Sequence, residues 1–184
     1  MTSLSALWLP ILLSAVFVFI ASSVIHMATP WHKNDYQSVP QEDQVAGALR
    51  AVPPGDYLLP RPRNMEQMRS PEFAERMKQG PVLMMTVMPN GVTAMGGTMA
   101  KWFLYLLVVS FIAGGIASHV LPPNADSHVI LHTTGMTAFL GFALALWQMA
   151  IWYRRSLGTT VRSTIDGLIY GLITGATFAW LWPR

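Results

Sequence analysis

The stretch DGLIYGLITGATFAW, Asp166–Trp180, decides how the chain is read. Its single charge stands at its first residue, and Gly167, Gly171, Gly175 and Ala179 recur every four residues, with Ser163 extending the series backwards. Four-residue spacing lines these small residues up along one stripe of a helix. The other faces carry Leu, Ile, Phe and Trp. In lipid there is no hydrophobic drive between helices, so a stripe without side chains is the means by which a second backbone comes close enough for dispersion contact. The stripe is therefore expected to pack against the third or first apolar span, or against a second subunit. A glycine-lined groove for a lipid or cofactor tail is the alternative. The third span offers Gly141 and Ala145 in return, and the second offers AGGIAS, Ala113–Ser118.

The rest of the chain fits a membrane helix at this position. Of 184 residues, 52% are hydrophobic and 11% charged, against about 25% charged in soluble domains. Apolar runs of about 18 residues or more mark spans, and they fall at Leu4–Met27, Trp102–Leu121, Val129–Tyr153 and Ile165–Trp182. Trp8, Trp31, Trp102, Trp152, Tyr153, Trp180 and Trp182 sit near the ends of these runs, where amphipathic rings settle at the headgroup level. The first run lacks the basic start of a signal peptide and is longer than a usual signal core, so it is expected to stay as a span. The chain has no cysteine, which removes disulfides, thiolate metal sites and cysteine nucleophiles. No basic patch of nucleic-acid type is present, and no nucleic-acid partner is expected.

Lysine and arginine set the expected orientation. Lys33, Arg50, Arg61, Arg63, Arg69, Arg76, Lys78 and Lys101 lie between the first two spans, and Arg154, Arg155 and Arg162 between the last two. PPNADS, between the second and third, has none, and Arg184 is alone at the C-terminus. The positive-inside rule then puts both termini outside the cytoplasm. The expected fold is an all-α membrane protein of four transmembrane helices with a small cytoplasmic α+β insertion between helices 1 and 2. Its divisions are residues 1–27, 28–100 and 101–184. Within the insertion, PQEDQVAGALRAVPPG predicts a short amphipathic helix. SPEFAERMKQG predicts a second, with Ser70 as N-cap, Pro71 at the first helical position and Gly80 as stop. PVLMMTVMPNGVTAM predicts a β-hairpin turning at Asn90-Gly91, and GDYLLP an added strand.

Ionisable groups near membrane depth are functional candidates, and they fall at two levels. At the expected outer end, His128 and His132 are spaced i, i+4 on one helix face, and His119 reaches the same level across a short loop. Three imidazoles there could ligate zinc, copper or haem iron, with Asp126 as a further ligand or an orienting group. The plainer reading is three histidines in the wet interface. At the inner end stand His26, His32, Lys33, Asp35 and Asp166. Pro30 ends the first helix, Trp31 suits the headgroup belt, and His32 and Lys33 point to water or phosphate. A His26–Asp166 pair binding a lipid headgroup, a quinone or a metal is the sharper reading, since buried ionisable residues pair. Met84, Met85, Met88, Met95 and Met99 cluster before the second span and are expected to make adaptable apolar contacts rather than to bind copper. No phosphate loop, nucleophile elbow or dinucleotide fingerprint is present.

The runs HMATPWHKNDY, PGDYLLP, GPVLMMTVMPNG and ALALWQMAIWY resemble a group of small, functionally uncharacterised bacterial inner-membrane proteins. The resemblance spans nearly the whole chain and implies four spans in a bacterial inner membrane, with no activity attached. The expected function is a non-enzymatic scaffold or accessory subunit in the lipid bilayer, joined to itself or to another membrane protein subunit by its small-residue faces. The alternatives are a metal-, haem- or quinone-binding redox protein using the outer histidines, and a small transporter.

Overall fold

The computed structural model describes residues 2–91 and 94–183. A 3-10 turn, Leu4–Leu7, leads into α1, Trp8–Ser23, which ends in a π-helical turn, Val24–Ala28. Next come α2, Glu42–Leu49, β1, Gly55–Leu59, α3, Met65–Met68, α4, Pro71–Gln79, and β2, Leu83–Val87. The remainder is α5, Met95–Val120, α6, Ser127–Phe139, a π-helical turn at Leu140–Leu144, α7, Leu146–Tyr153, and α8, Leu157–Leu181. Four continuous helical segments are long and apolar enough to cross a membrane: Leu4–Ala28, Met95–Val120, Ser127–Tyr153 and Leu157–Leu181.

The spans begin earlier than hydropathy suggests in two cases. The second starts at Met95, where MGGTM continues as helix. The fourth starts at Leu157, because the Ser156 hydroxyl caps the Thr159 N–H. Arg162, expected in a connection, is thus on α8. Arg154 takes a left-handed conformation and closes α7, leaving a tight return.

Two compact units result, Met1–Gln37 with Ala94–Arg184, and Ser38–Thr93. In the second, helices form over Glu42–Leu49 and Pro71–Gln79, and the Ser70 hydroxyl caps the latter by accepting from Phe73 N–H. Among the described residues the sheet has two strands: the strand expected over GDYLLP forms as β1 and pairs antiparallel with β2, with Leu59 opposite Leu83 and Gly55 opposite Val87. Met95 is already helical, and Val92 and Thr93 of the expected return strand lie outside the described residues. Cross-strand pairing of Tyr57 with Met85, and a hydrogen bond from Thr86 to Asp56 at 2.6 Å, stabilise the long-range ladder instead.

In the helical unit α1 packs on α5 and α8, and α6 packs on α5 and α8, which closes a four-membered ring of helices. The α6–α8 contact is the most extensive, and the small-residue stripe makes it. A Cβ on Gly167 would lie 2.7 Å from Ala143 Cβ, one on Gly171 2.8 Å from the Gly135 carbonyl oxygen, and one on Gly175 2.5 Å from the Leu131 carbonyl oxygen. Ala179 packs beside the buried Phe178 and Trp182. Elsewhere polar groups are satisfied locally: Ser14 donates to Ser110 at 3.0 Å, and Thr134 and Thr174 bond back to carbonyls one turn earlier. Leu104, Val108, Phe111, Ile112, Ile116, Leu168 and Leu172 are exposed. So much exposed apolar surface is untenable in water and ordinary against lipid tails.

Candidate functional site

The end of the helical unit where α1 finishes and α8 begins holds a network of side chains assembled from two distant parts of the chain. Pro30 stops the first span, and the following turn brings Trp31, His32 and Asp35 back over α8. His32 Nε2 lies 2.7 Å from Asp166 Oδ2, and its Nδ1 lies 2.7 Å from Asp35 Oδ2. Trp31 Nε1–H donates to Asp166 Oδ1 at 3.0 Å. Arg162, one turn before Asp166 on α8, donates to Asp35 through Nε at 2.8 Å and through a second guanidinium nitrogen. Asp166 is almost fully buried, at 3% exposure, and every oxygen of its carboxylate has a partner. Burial raises the Asp35 carboxyl, but hydrogen bonds from His32 and Arg162 and their nearby charges outweigh it and hold Asp35 below the usual carboxylate range.

His26 completes the cluster from the π-helical turn. Its Nδ1 lies 3.0 Å from the Ser22 carbonyl oxygen, and its ring stacks on His32 with centroids 4.3 Å apart and planes at 12°. Ligand atoms of His26, His32 and Asp166 all lie within 4.8 Å of one another.

Beside this network opens a cavity of about 740 Å³. Trp102, Tyr105, Phe142, Leu146, Met27, Met99 and the Tyr170 ring form the walls, and His26, Asp166, Ser163 and Lys101 are the polar residues that line it. Two donors are used up in fixing the walls: Trp102 Nε1–H bonds to Ser22 Oγ at 2.9 Å, and Tyr105 O–H to the Gly141 carbonyl at 2.6 Å. Trp102, Tyr105, Phe142 and Tyr170 pack as a connected aromatic group with centroids 5.5–6.4 Å apart. Tyr170 is 4% exposed, and its hydroxyl has no hydrogen-bond partner among the described residues.

The other expected cluster is looser. His128 and His132 do meet, Nε2 to Nε2 at 3.0 Å, and Asp126 caps their helix by accepting from His128 N–H. His119 is turned to its own helix, with Nδ1 2.8 Å from the Gly115 carbonyl oxygen. Among the described residues, the set that brings three metal-capable groups together is His26, His32 and Asp166, and the His119, His128 and His132 set does not form one.

Sequence reasoning named His26, His32 and Asp166 as a lipid-headgroup site or buried polar pair, with His32 facing water or phosphate and Asp35 at the same level, and gave Arg162 and Tyr170 no part in it. The turn Pro30 makes could have signalled the return of His32, since a chain leaving a helix end at a proline can fold back over it. Nothing in the sequence ties Asp35 to a residue 127 positions away. No family model, no curated protein and no solved structure matches the chain.

Proposed function

We propose that this is a multi-pass membrane protein that binds one amphiphilic molecule carrying a hydrogen-bond acceptor, a quinone or a lipid, in the cavity beside Asp166. It acts as a binding or accessory subunit rather than as an enzyme. The observation that carries this reading is the cavity itself, with apolar walls of Trp102, Tyr105, Phe142 and Leu146 and with His26, Lys101 and Ser163 at its polar side. A ligand carbonyl or phosphate oxygen would accept from donors there. The cavity volume falls within the range of about 300–1,000 Å³ usual for small-molecule sites, and its mainly apolar walls suit a hydrocarbon or isoprenoid tail. Lys101 and His26 at the polar side favour an electron-rich head.

The stripe on which a scaffold role would rest is spent on α6 within the chain, so Gly167, Gly171 and Gly175 offer no face to a partner. The basic residues Lys33, Lys101, Arg154 and Arg155 stand close to span ends on the side of the cavity, which supports a cytoplasmic position for this end and for the insertion, with both termini outside. The bacterial inner membrane is proposed from the sequence resemblance alone.

Photo-crosslinking tests the reading. Analogues of an isoprenoid quinone and of an anionic phospholipid, each with a diazirine in the tail, are applied to the purified full chain in detergent. The expected result is labelling concentrated on the segments containing Trp102–Tyr105 and Phe142–Leu146, displaced by unlabelled ligand of the same head class. Labelling spread evenly over Val108, Ile112 and Leu172, with no displacement, would identify ordinary surrounding lipid and reject the site.

A further inference from the structure

We infer that His26, His32 and Asp166 form a binding site for one divalent transition-metal ion, with zinc the best match, and that Ser22, Asp35 and Trp31 hold the three ligands in position. The inference goes beyond the amphiphile reading and does not depend on it.

The donor set decides the class of ion. Two imidazoles and one carboxylate suit zinc and its first-row neighbours, whereas calcium and magnesium demand oxygen ligands. Two histidines with one carboxylate also leave a fourth tetrahedral position open. Because His26 and Asp166 both border the cavity, that position opens towards it.

Each ligand is supported on the side away from the shared point. Asp35 Oδ2 holds His32 at Nδ1, at 2.7 Å, and Arg162 in turn holds Asp35. The Ser22 carbonyl holds His26 at Nδ1, at 3.0 Å, which leaves Nε2 as the atom available for an ion. Trp31 Nε1–H holds Asp166 Oδ1, which leaves Oδ2 facing His32 Nε2. Carboxylate–histidine–metal triads and carbonyl-anchored imidazoles are the usual supports of zinc ligands. A simple ion-pair network accounts for His32, Asp35, Asp166 and Arg162, but it has no need of His26. That residue nonetheless stacks on His32 and comes within 4.8 Å of both other ligands.

Closing the site takes a small movement. Neighbouring ligands of a tetrahedral zinc ion with bonds of about 2.0–2.1 Å stand about 3.3 Å apart. His32 Nε2 and Asp166 Oδ2 are already nearer than that, at 2.7 Å, and would open slightly as the ion takes the place of the proton between them. His26 must rotate out of its stack and come in by up to about 1.5 Å to reach the spacing zinc bonds require. It is exposed and lies on a π-helical turn, the kind of helix irregularity often found at functional sites.

The test is zinc binding by the purified full chain, freed of metal by chelator and dialysis and titrated with zinc ion alone. One ion per chain is expected, with affinity unaffected by millimolar magnesium. His26→Ala should weaken it at least tenfold, and Asp35→Asn about 10–100-fold, as removal of a supporting carboxylate does. Tyr170→Phe should leave zinc binding unchanged, as should His128→Ala with His132→Ala. That separates this site from the cavity wall and from the opposite end of the bundle. X-ray absorption of the zinc-loaded wild type gives a readout independent of any variant: two imidazoles and a carboxylate are expected. Absence of stoichiometric zinc, full retention of affinity in His26→Ala, or a zinc shell with fewer than two imidazoles would overturn the inference.

Discussion

Tyr170 and Asp35 carry the most consequence of any single residues. The Tyr170 ring is packed between Trp102 and Phe142, while its buried hydroxyl has no hydrogen-bond partner among the described residues. A buried unpaired hydroxyl costs about 1–3 kcal/mol, so Tyr170→Phe should melt no lower than wild type. Melting curves in detergent check this, and a clearly lower melting temperature would show that the hydroxyl has a partner. Asp35 ties the turn after Pro30 to α8 through Arg162 and His32. Asp35→Ala should reduce stability by about 1.5–3 kcal/mol, the range for hydrogen bonds to charged groups, whereas Lys33→Ala at an exposed neighbour should change it by less than about 0.5 kcal/mol. A lower melting temperature for Lys33→Ala than for Asp35→Ala would show that the turn is not held by this network. These roles were poorly legible in the sequence for a physical reason. Tyr170 interrupts an apolar helix as any core or belt aromatic would, and Asp35 finds Arg162 only after the helices have packed.

At the scale of elements, the glycine series shows which patterns can be read before folding is known. Gly167, Gly171 and Gly175 announced close packing because a four-residue repeat is local to one helix, and the partner needed only small residues or bare backbone, which Gly135 and Ala143 provide. The strand expected over GDYLLP pairs with β2 from farther back in the chain, whereas the return strand that Asn90-Gly91 signals lies partly outside the described residues. The start of α8 was missed because hydropathy marks the apolar part of a helix, while the Ser156 cap sets its first turn. Gly171→Leu drives a side chain into the Gly135 carbonyl and the Phe139 Cβ, at 2.8 and 3.0 Å from where its own Cβ would stand. Overpacking of this kind costs about 1–3 kcal/mol and sometimes more. Leu172→Ala, at an exposed neighbour, should cost much less. Thermal melting in detergent compares the two, and equal melting temperatures would mean that α6 and α8 do not meet along this stripe.

The whole molecule joins a four-helix membrane unit to a small α+β unit, and its proposed activity depends on which end of the bundle carries the cavity. Reporter fusions near Arg63 and after Arg184 should give cytoplasmic and extracytoplasmic signals respectively, and the reverse pattern would invert the charge-based orientation. The cavity itself arises only from the assembled ring: α1 supplies Ser22 and its π-helical turn His26, α5 supplies Trp102 and Tyr105, the third span supplies Phe142 and Leu146, and α8 supplies Asp166 and Tyr170. Native mass spectrometry of the full chain, purified gently from membranes, measures its occupancy most directly. Wild type should retain one amphiphile per chain through activation that strips loosely held lipid. Ser163→Trp, which fills the cavity from α8, should lose that molecule while melting like wild type. A wild type that carries no retained molecule, or a Ser163→Trp variant that keeps it at full occupancy, would contradict the proposal that the cavity is a binding site.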